Sequence, residues 1–247
     1  MAAKRRADQL LVEQGLAESR SKAQALILAG LVSCGERRIN KPGEQLAADA
    51  TLALKGRDHP WVSRGGVKLA HALDHFRVAV RGSVALDVGA STGGFTDVLL
   101  ARGARRVHTV DVGHAQLAWK LRQDPRVVVH ERLNARNLTC AHIPEPIDII
   151  TSDVSFIGLS VVLPAPLALA AEQAQLVALV KPQFEAGRDH VGKGGVVRDP
   201  GIQNEVCERI AAWVAEQPGW RVAGIVESPI LGPEGNREFL LYAVRHR

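Results

Sequence analysis

One stretch of the chain, residues 84–96, limits the possible folds more than any other. It begins as a short run of apolar and β-branched residues, which predicts a buried strand, and it breaks into small residues at Gly89. A helical pattern starts at Phe95, so the stretch predicts a strand, a glycine-rich turn and a helix. Glycines at such a turn let the backbone pass close to a ligand where a Cβ would clash. The alternative is a tight turn that binds nothing.

A second predicted strand, residues 107–112, carries Asp111 about 20 residues beyond Gly89, the spacing at which an acid reaches ribose hydroxyls. The chain lacks the Gly-x-Gly-x-x-Gly fingerprint of dinucleotide enzymes. The order Asp87-x-Gly89 and then Gly93-Gly94 is instead typical of S-adenosyl-L-methionine (SAM) enzymes, so we predict that cofactor. The predicted cofactor-binding residues are Asp87, acting through a nearby water or amine, Gly89, Ser91, Gly93, Gly94, Asp111 and Asn134. For Asn134, a simple turn is the alternative.

Strand and helix patterns alternate after residue 84. Strands are expected at 84–88, 107–112, 127–130, 147–152, 176–180, 221–227 and 239–244. Helices are expected between most of them, at about 94–102, 115–123, 158–172 and 201–216, and one further helix, at about 67–76, precedes the first strand. Near-continuous apolar strands between helices indicate a parallel sheet covered on both faces. The loop before the last strand is too short for a helical crossover, so that strand should be antiparallel. The prediction is an α/β, Rossmann-like SAM-dependent methyltransferase fold with a seven-stranded sheet, which disfavours a nicotinamide dehydrogenase.

Composition narrows the class of protein further. A chain of 247 residues with 46% hydrophobic residues is globular and can form one large and one small domain. Three scattered cysteines without a Cys-x-x-Cys pair favour a reducing compartment and argue against a zinc site. No signal-peptide core and no run long enough to cross a bilayer are present. We therefore expect a soluble cytoplasmic protein without metal, and we favour a monomer.

Residues 1–55 are predicted to form a small α+β domain with two short helices, the second capped by Ser19, and short strands near 31–33 and 51–54. The net charge of +5 and the pI of about 9.4 suggest an anionic partner, and basic residues cluster here. A merely solvated surface is the alternative. The predicted RNA contacts in this domain are Arg6, Arg20, Lys22, Arg37, Arg38 and Lys41.

The motifs Arg6-x-Asp8, Ser19-Arg20-x-x-Ala23 and Lys41-Pro42-Gly43 resemble the small RNA-binding module named for ribosomal protein S-four. The resemblance implies two helices that present basic residues to structured RNA. We expect this domain to end at residue 55, a linker to cover residues 56–66, and a second domain to cover residues 67–247.

Polar residues follow two neighbouring strands of the predicted sheet. Asp153 comes after the strand 147–152, and Lys181 comes after the strand 176–180. Ligands of doubly wound sheets bind beyond the carboxyl ends of the strands, so both side chains should point into one crevice. An ion pair at the sheet edge is the alternative. Lys68 lies off the apolar face of helix 67–76 and is expected outside the core, where it could be an ordinary surface lysine.

Five further motifs cover nearly the whole chain, among them Trp61-Val62-Ser63-Arg64-Gly65-Gly66, Ser152-Asp153-Val154-Ser155-Phe156 and Gly235-Asn236-Arg237-Glu238-Phe239. With these the chain resembles the TlyA (hemolysin A) family of ribosomal RNA 2′-O-methyltransferases, which join an S-four-type module to a domain like that of FtsJ (RrmJ). The resemblance implies a catalytic tetrad of Lys68, Asp153, Lys181 and Glu238. It also implies methylation of cytidine in large-subunit RNA, and in some members small-subunit RNA. The short termini of this chain favour the large subunit.

The tetrad suggests two roles for Lys181 beside the ribose hydroxyl. As a neutral amine it could take the hydroxyl proton, and a neighbouring cation such as Lys68, or desolvation, is needed to keep it neutral. As a charged amine it could only steer a lone pair of the hydroxyl oxygen toward the methyl group and leave the proton to water. Asp153 and Glu238 would orient the amines. The basic, glycine-rich segment 187–195 is expected either to close over RNA or to be a plain flexible loop. Arg64, Arg188 and Lys193 are the predicted RNA contacts in this second domain.

Two other functions stay open at this point. A membrane-damaging hemolysin is suggested by the older family name, but no amphipathic membrane helix supports it. A catalytically silent RNA-binding assembly factor is the other alternative, and the intact tetrad argues against it.

Overall fold

The structure, a computed structural model, describes residues 4–17, 19–54 and 59–246, without the side chains of Arg188 and Pro233. The chain divides into two compact units, residues 1–60 and 61–247. Part of the predicted linker, residues 56–58, lies outside the described residues. The remainder of it from residue 61 on packs within the larger unit, where the amide of Val62 donates to Asp97 Oδ2 at 2.8 Å.

The smaller unit combines two helices with short antiparallel strands. In chain order it contains β1 (Lys4–Arg6), α1 (Ala7–Glu13), α2 (Arg20–Leu28), β2 (Val32–Cys34), β3 (Arg37–Arg38), β4 (Gln45–Ala47) and β5 (Leu52–Leu54). β1 pairs with β4, and β2 lies between β3 and β5. Ser19 Oγ accepts the amide of Lys22 at 3.2 Å, which confirms the predicted cap of α2. The strands β1, β3 and β4 were not predicted, because β1 and β3 contain only basic residues and β4 has a single buried apolar residue, so none shows the apolar pattern of a strand.

A buried carboxylate ties the helices of this unit to its basic residues. Asp8 has no exposed surface and accepts hydrogen bonds from Arg6 at 2.9 Å, Arg20 at 3.2 Å and Gln24 at 3.0 Å. The Arg6 guanidinium holds the pKa of Asp8 well below its usual range. Arg6 and Arg20, both predicted RNA contacts, are therefore engaged inside the unit through a partner that sequence reasoning missed.

The larger unit is built on one seven-stranded sheet. Its helices are α3 (Gly65–His75), α4 (Gly94–Ala101), α5 (Trp119–Arg122), α6 (Leu159–Val162), α7 (Pro164–Ala168), α8 (Pro182–Glu185) and α9 (Pro200–Ala215). Its strands are β6 (Val84–Val88), β7 (Arg106–Asp111), β8 (Val127–Glu131), β9 (Ile147–Ser152), β10 (Ala170–Val180), β11 (Trp220–Glu227) and β12 (Phe239–Arg245). The order is β11-β12-β10-β9-β6-β7-β8, and β12 runs antiparallel to both of its neighbours. The predicted fold, with its antiparallel last strand, is confirmed.

Apolar layers cover both faces of this sheet. On one face Leu69 of α3 and Leu99 of α4 pack with Ile149 of β9; on the other, Ile150 of β9 packs with Ile210 of α9. All of these side chains are essentially inaccessible to solvent, which explains the near-continuous apolar strands. Parallel pairing of β6, β9 and β10 sets their carboxyl ends side by side at one edge of the sheet.

Two predicted helices are wrong in extent. The helix expected at 158–172 is broken into α6 and α7, because Pro164 lacks an amide proton and its ring opposes a continuous helix, and β10 already begins at Ala170. The apolar run from Leu159 onward has no clear period that separates helix from strand. The helix expected at 115–123 is reduced to the single turn α5, preceded by Ala115 with a φ of +56°.

Candidate active site

A cavity of about 550 Å³ opens at the carboxyl ends of β6, β9 and β10. Its wall contains the glycine-rich turn after β6, the first turn of α3 and a segment close to the end of the chain. We call this space the catalytic cavity. The charged residues that line it are Arg64, Lys68, Asp153 and Lys181.

Lys181 lies directly after β10 and is 8% exposed. Its Nζ is 2.6 Å from Asp153 Oδ1 and donates to Ser155 Oγ at 3.0 Å. The same nitrogen lies 5.9 Å from the centre of the Phe184 ring, within the range of a cation–π contact. Pro182 begins α8 immediately afterwards, so the backbone turns away from the cavity while the amine stays in it.

Lys68 is buried, which corrects the expectation that it lies outside the core. It is 7% exposed, and its Nζ forms an ion pair with Glu238 Oε2. Glu238 immediately precedes β12 and is 1% exposed, and its second oxygen, Oε1, has no hydrogen-bond partner among the described residues. The helical pattern of α3 gave the direction of Lys68 relative to its own helix, but not the wall that covers it.

Three of the four residues predicted as a tetrad line one space, and the fourth, Glu238, lies next to it through its ion pair with Lys68. Lys68 and Lys181 both line the catalytic cavity, and each amine has a carboxylate partner. Asp153 Oδ2 lies 3.6 Å from the point where a Cβ on Gly65 would stand, so this carboxylate is next to the first turn of the helix that carries Lys68. Four distant parts of the chain thus supply two amines and two carboxylates to one place.

A second cavity, of about 420 Å³, adjoins the first, and Gly89, Ser91, Asp153 and Ser155 line both. We call it the nucleoside cavity. Apolar side chains such as Val112, Leu133 and Ile157 form much of its wall, and Asp111 and Asn134 supply polar groups. Asp111 accepts the amides of Ser91 at 2.8 Å and Gly113 at 2.7 Å, which fixes its carboxylate at the end of β7. Asn134 lines this cavity and also caps a turn, since its Oδ1 accepts the amide of Arg136 at 3.1 Å.

The turn between the two cavities requires glycine. Gly89 has a φ of +81°, and a Cβ there would stand 2.7 Å from the backbone oxygen of Asp153. Any side chain would therefore fill the narrow passage between the turn and the loop after β9. Two connected cavities, one mainly apolar with a fixed carboxylate and one lined by cations, fit a nucleoside cofactor whose reactive end projects toward the lysines.

Comparisons with known proteins agree with this geometry. The model of the FtsJ-like methyltransferase family matches residues 61–245, and that of the S4 domain matches residues 5–52. The chain belongs to the FtsJ-like methyltransferase family. It is similar to YqxC of Bacillus subtilis, whose name provisionally describes an rRNA methyltransferase, with 50% identity over 97% of this chain and 85% of YqxC.

Two further relatives of this FtsJ-like chain extend the comparison. The 16S/23S rRNA (cytidine-2′-O)-methyltransferase TlyA of Mycobacterium tuberculosis is 47% identical over 98% of this chain and 90% of its own length. A solved structure from Streptococcus thermophilus, provisionally named a hemolysin, is 44% identical, covers 100% of this chain and 90% of that one, and has a TM-score of 0.77.

Two of the predicted cofactor contacts of this FtsJ-like unit have another role in the structure. Asp87 is fully buried and lines neither cavity; its oxygens accept the hydroxyls of Thr96 at 2.6 Å and Thr151 at 3.0 Å. The prediction that it acts on a cofactor amine or water is therefore wrong: its carboxylate joins α4, which carries Thr96, to β9, which carries Thr151. Gly93 also lines neither cavity, and its φ of +95° lets the turn pass close to the buried side chains of Leu117 and Leu121.

Burial raises the pKa of Asp87 to about 6. Because this is above the ordinary value of 3.8, the folded chain binds more protons than the unfolded chain between about pH 4 and 6, and stability falls as the pH rises through that window. We expect Asp87→Asn to remove this dependence. Relative to the variant, the wild type should lose about 3 kcal/mol between pH 4 and 7. Urea unfolding of both proteins across this range measures the difference, and parallel curves would contradict the assignment.

The residues predicted to contact RNA are mostly exposed. In the smaller unit, Lys22, Arg38 and Lys41 are exposed and make no ion pair within the described residues, whereas Arg37 pairs with Glu44 at 2.5 Å. In the larger unit, Arg64 lines the catalytic cavity and Lys193 is exposed. The side chain of Arg188 lies outside the described residues.

Sequence reasoning assigned no role to Ser155, which lines both cavities, or to Phe156, which lines the nucleoside cavity. Ser155 accepts a hydrogen bond from Lys181, and Phe156, with a φ of +65°, is 90% exposed at the mouth of the nucleoside cavity. Both residues belong to the motif that contains Asp153, so their closeness to Asp153 in the sequence could have predicted that they lie near the site. Within the described residues, no helix is long and apolar enough to cross a membrane, and no group of His, Cys, Asp and Glu could hold a metal ion.

Proposed function

We propose that this chain uses S-adenosyl-L-methionine to methylate the ribose 2′-hydroxyl of a cytidine in ribosomal RNA, with the large subunit as its substrate. The arrangement of Lys68, Asp153 and Lys181 around a cavity that adjoins the nucleoside cavity, with Glu238 paired to Lys68, carries this proposal. The relatives named for this reaction support it, and so does the matched RNA-binding module. Such a substrate places the protein in the cytoplasm.

The nucleoside cavity would hold the cofactor. Asp111 would accept the ribose hydroxyls, Asn134 would contact the base through the amide group its turn leaves unused, and the wall formed by Val112 and Leu133 would cover the rings. Gly89 and Ser91, shared by both cavities, would lie along the chain that joins nucleoside and sulfur. When bound, SAM supplies a methyl group that is already activated by its positive sulfur.

The residues of the catalytic cavity would hold the acceptor hydroxyl in line with that methyl group. A charged lysine has three N–H donors, and Asp153 and Ser155 accept two of those of Lys181, which leaves one for the 2′-hydroxyl. This hydrogen bond would direct a lone pair of the hydroxyl oxygen toward the methyl group. The hydroxyl proton would pass to water as the oxygen–carbon bond forms and the sulfur–carbon bond breaks. Asp153 would set the direction of the Lys181 amine, and Glu238 would hold the Lys68 amine in the wall of the same cavity. In-line positioning of reacting groups accounts for much of the rate gain in such sites. Arg64, exposed at the rim, would bind a phosphate of the target strand.

Substitution of Asp111 tests the nucleoside cavity. Charge-assisted hydrogen bonds to ribose hydroxyls are worth about 1.5–3 kcal/mol, so Asp111→Ala should raise the Kd for SAM about 10- to 100-fold. Calorimetric titration measures this. Asp124→Ala is the control, because Asp124 lies in the same unit, pairs with Arg126 and lines neither cavity. Equal affinities in the wild type and Asp111→Ala would exclude this binding mode.

The smaller unit would bind RNA through its unpaired cations. Combined substitution of Lys22, Arg38 and Lys41 by alanine should weaken RNA binding and lower the slope of log K against log salt by roughly 0.7–0.9 per lost phosphate contact. Arg102→Ala serves as the control, since Arg102 is a surface cation of the larger unit that pairs with Asp74. If the slope of log K against log salt is unchanged, Lys22, Arg38 and Lys41 make no contact with RNA phosphates and form only a solvated surface.

The proposed reaction is tested with tritium-labelled SAM and ribosomal subunits. We expect label in large-subunit RNA with the wild type and none with Lys181→Ala. Binding of RNA without any transfer by the wild type would favour an assembly factor. Haemoglobin release that persists in Lys181→Ala would favour a hemolysin.

A further inference from the structure

The catalytic cavity is roofed by a segment, residues 228–238, that joins β11 to β12. Ile230, Leu231 and Gly232 of this roof segment line the cavity, and Glu238 at its end pairs with Lys68. The amide of Ser228 donates to the backbone oxygen of Glu238 at 2.9 Å, so the two ends of the segment are joined. A Cβ on Gly232 would overlap the Glu238 carboxylate, which means that the roof and this carboxylate are in direct contact.

Asn236 connects the roof segment to a different loop. The residue is 2% exposed, and its Nδ2 donates to the Gly195 oxygen at 2.9 Å while its Oδ1 accepts the amide of Val197 at 3.1 Å. Its backbone oxygen accepts the amide of Gly232 at 2.9 Å. One buried residue thus joins the lining of the cavity to the glycine-rich loop, which we define as residues 187–197.

The glycine-rich loop has few other hydrogen bonds, and its attachment to the apolar core is through Val197, which is buried there, and Val191, which packs against it. Gly192 and Val196 close a small hairpin with a 3.0 Å hydrogen bond, and Gly194 and Gly195 have φ values of +81° and +76°. Apart from Asn236, the one described side chain that hydrogen-bonds this hairpin and Val197 is Gln203 of α9, whose Nε2 donates to the Val197 oxygen at 2.7 Å. The loop presents the exposed cation Lys193 at its tip.

We infer that Asn236 is a positioning residue that couples the glycine-rich loop to the catalytic cavity, so that an RNA strand bound by the loop stabilises the roof and the Lys68–Glu238 pair. This inference rests on the proposed function. A buried amide whose donor and acceptor are both used cannot shift without breaking hydrogen bonds on one side. Asn236 is two residues from Glu238, and Glu234 and Gly235 just before it hold left-handed backbone, with φ of +62° and +85°. Movement of the loop is therefore passed to the roof through a short, constrained piece of chain.

The test compares Asn236→Ala with Gln203→Ala. Both variants remove a side chain that holds Val197, but Gln203 makes no bond to the roof, so it controls for loosening of the loop alone. For Asn236→Ala we expect kcat on ribosomal RNA to fall about tenfold or more, with the Kd for SAM unchanged within twofold. For Gln203→Ala, kcat should stay within twofold. Asn236→Asp keeps the acceptor for Val197 but replaces the donor to the Gly195 oxygen by a second acceptor, so its kcat should fall at least as far as that of Asn236→Ala. Circular dichroism spectra that match the wild type show that the alanine variant is folded.

Hydrogen exchange distinguishes failure of the inference from failure of the proposed function. In Asn236→Ala, amide exchange should rise together at Val197 and at Gly232, whether or not any methyl transfer occurs. Exchange that rises at Val197 alone, or a kcat that falls equally in Gln203→Ala, would overturn the coupling. A wild type that transfers no methyl group to RNA would refute the proposed function. Faster exchange at both Val197 and Gly232 in Asn236→Ala would still support the link between the loop and the roof segment.

Discussion

Replacement of Lys181 by alanine is expected to lower the rate of methyl transfer by about 10²- to 10⁴-fold, the range typical when a positioned proton-transfer or hydrogen-bonding group is removed. Lys181 Nζ is held at 2.6 Å from Asp153 and 3.0 Å from Ser155, so its third N–H direction is set by the fold and faces the catalytic cavity. Single-turnover transfer of labelled methyl to RNA measures the loss directly.

Two controls separate chemistry from binding and folding. Lys181 does not line the nucleoside cavity, so the Kd for SAM should change by less than about threefold in Lys181→Ala. Lys120→Ala removes an exposed lysine of the same unit, one that pairs with Asp97, and should keep full activity. A Lys181→Ala protein that keeps more than a tenth of the wild-type rate would remove this lysine from the mechanism.

Breaking the Lys68–Glu238 pair should cost more stability than any surface ion pair of the chain. The side chains of Lys68 and Glu238 are 8% and 0% exposed, and Glu238→Ala leaves a buried ammonium without its counter-ion. Such a loss typically costs about 3–5 kcal/mol, whereas replacement of both partners by apolar residues is often neutral. We expect Glu238→Ala to unfold at markedly lower urea, and Lys68→Met with Glu238→Leu to recover most of the stability without recovering activity.

The matched control for these stability measurements is Asp74→Ala, which breaks an exposed ion pair. Asp74 pairs with Arg102 at 2.7 Å, but these side chains are 63% and 39% exposed, so the loss should be below about 1 kcal/mol. A double variant as unstable as Glu238→Ala would show that the loss of stability comes from lost packing and not from the unpaired charge of Lys68. A double variant with wild-type activity would contradict a role for the pair in methyl transfer.

The sequence predicted those parts of the site that depend on local pattern and on sheet topology. Asp153 and Lys181 follow apolar strands, and parallel strands bring their carboxyl ends together, so their convergence follows from β9 and β10 being neighbours. The antiparallel final strand was predictable for a similar reason, because the loop before it is short.

The parts that were missed depend on contacts between distant residues. The helical pattern predicted Lys68 outside the core, because it cannot show that Glu238, 170 positions away, covers it. Only the family resemblance linked these two residues. Asp87 looked like a cofactor ligand because its motif is shared with the turn, yet the hydroxyls of Thr96 and Thr151 take up its oxygens. The broken helix at Pro164 shows the same limit, since an apolar run alone does not separate a helix from the start of a strand.

The central claim is that this chain methylates the ribose of a cytidine in ribosomal RNA. Its most direct test is mass spectrometry of nucleosides from ribosomal RNA that has been incubated with the protein and SAM carrying a deuterated methyl group. The account predicts deuterated 2′-O-methylcytidine at a discrete position in large-subunit RNA, and none with Lys181→Ala. Label found on a base, on another nucleoside, or at an equal level with Lys181→Ala would contradict it.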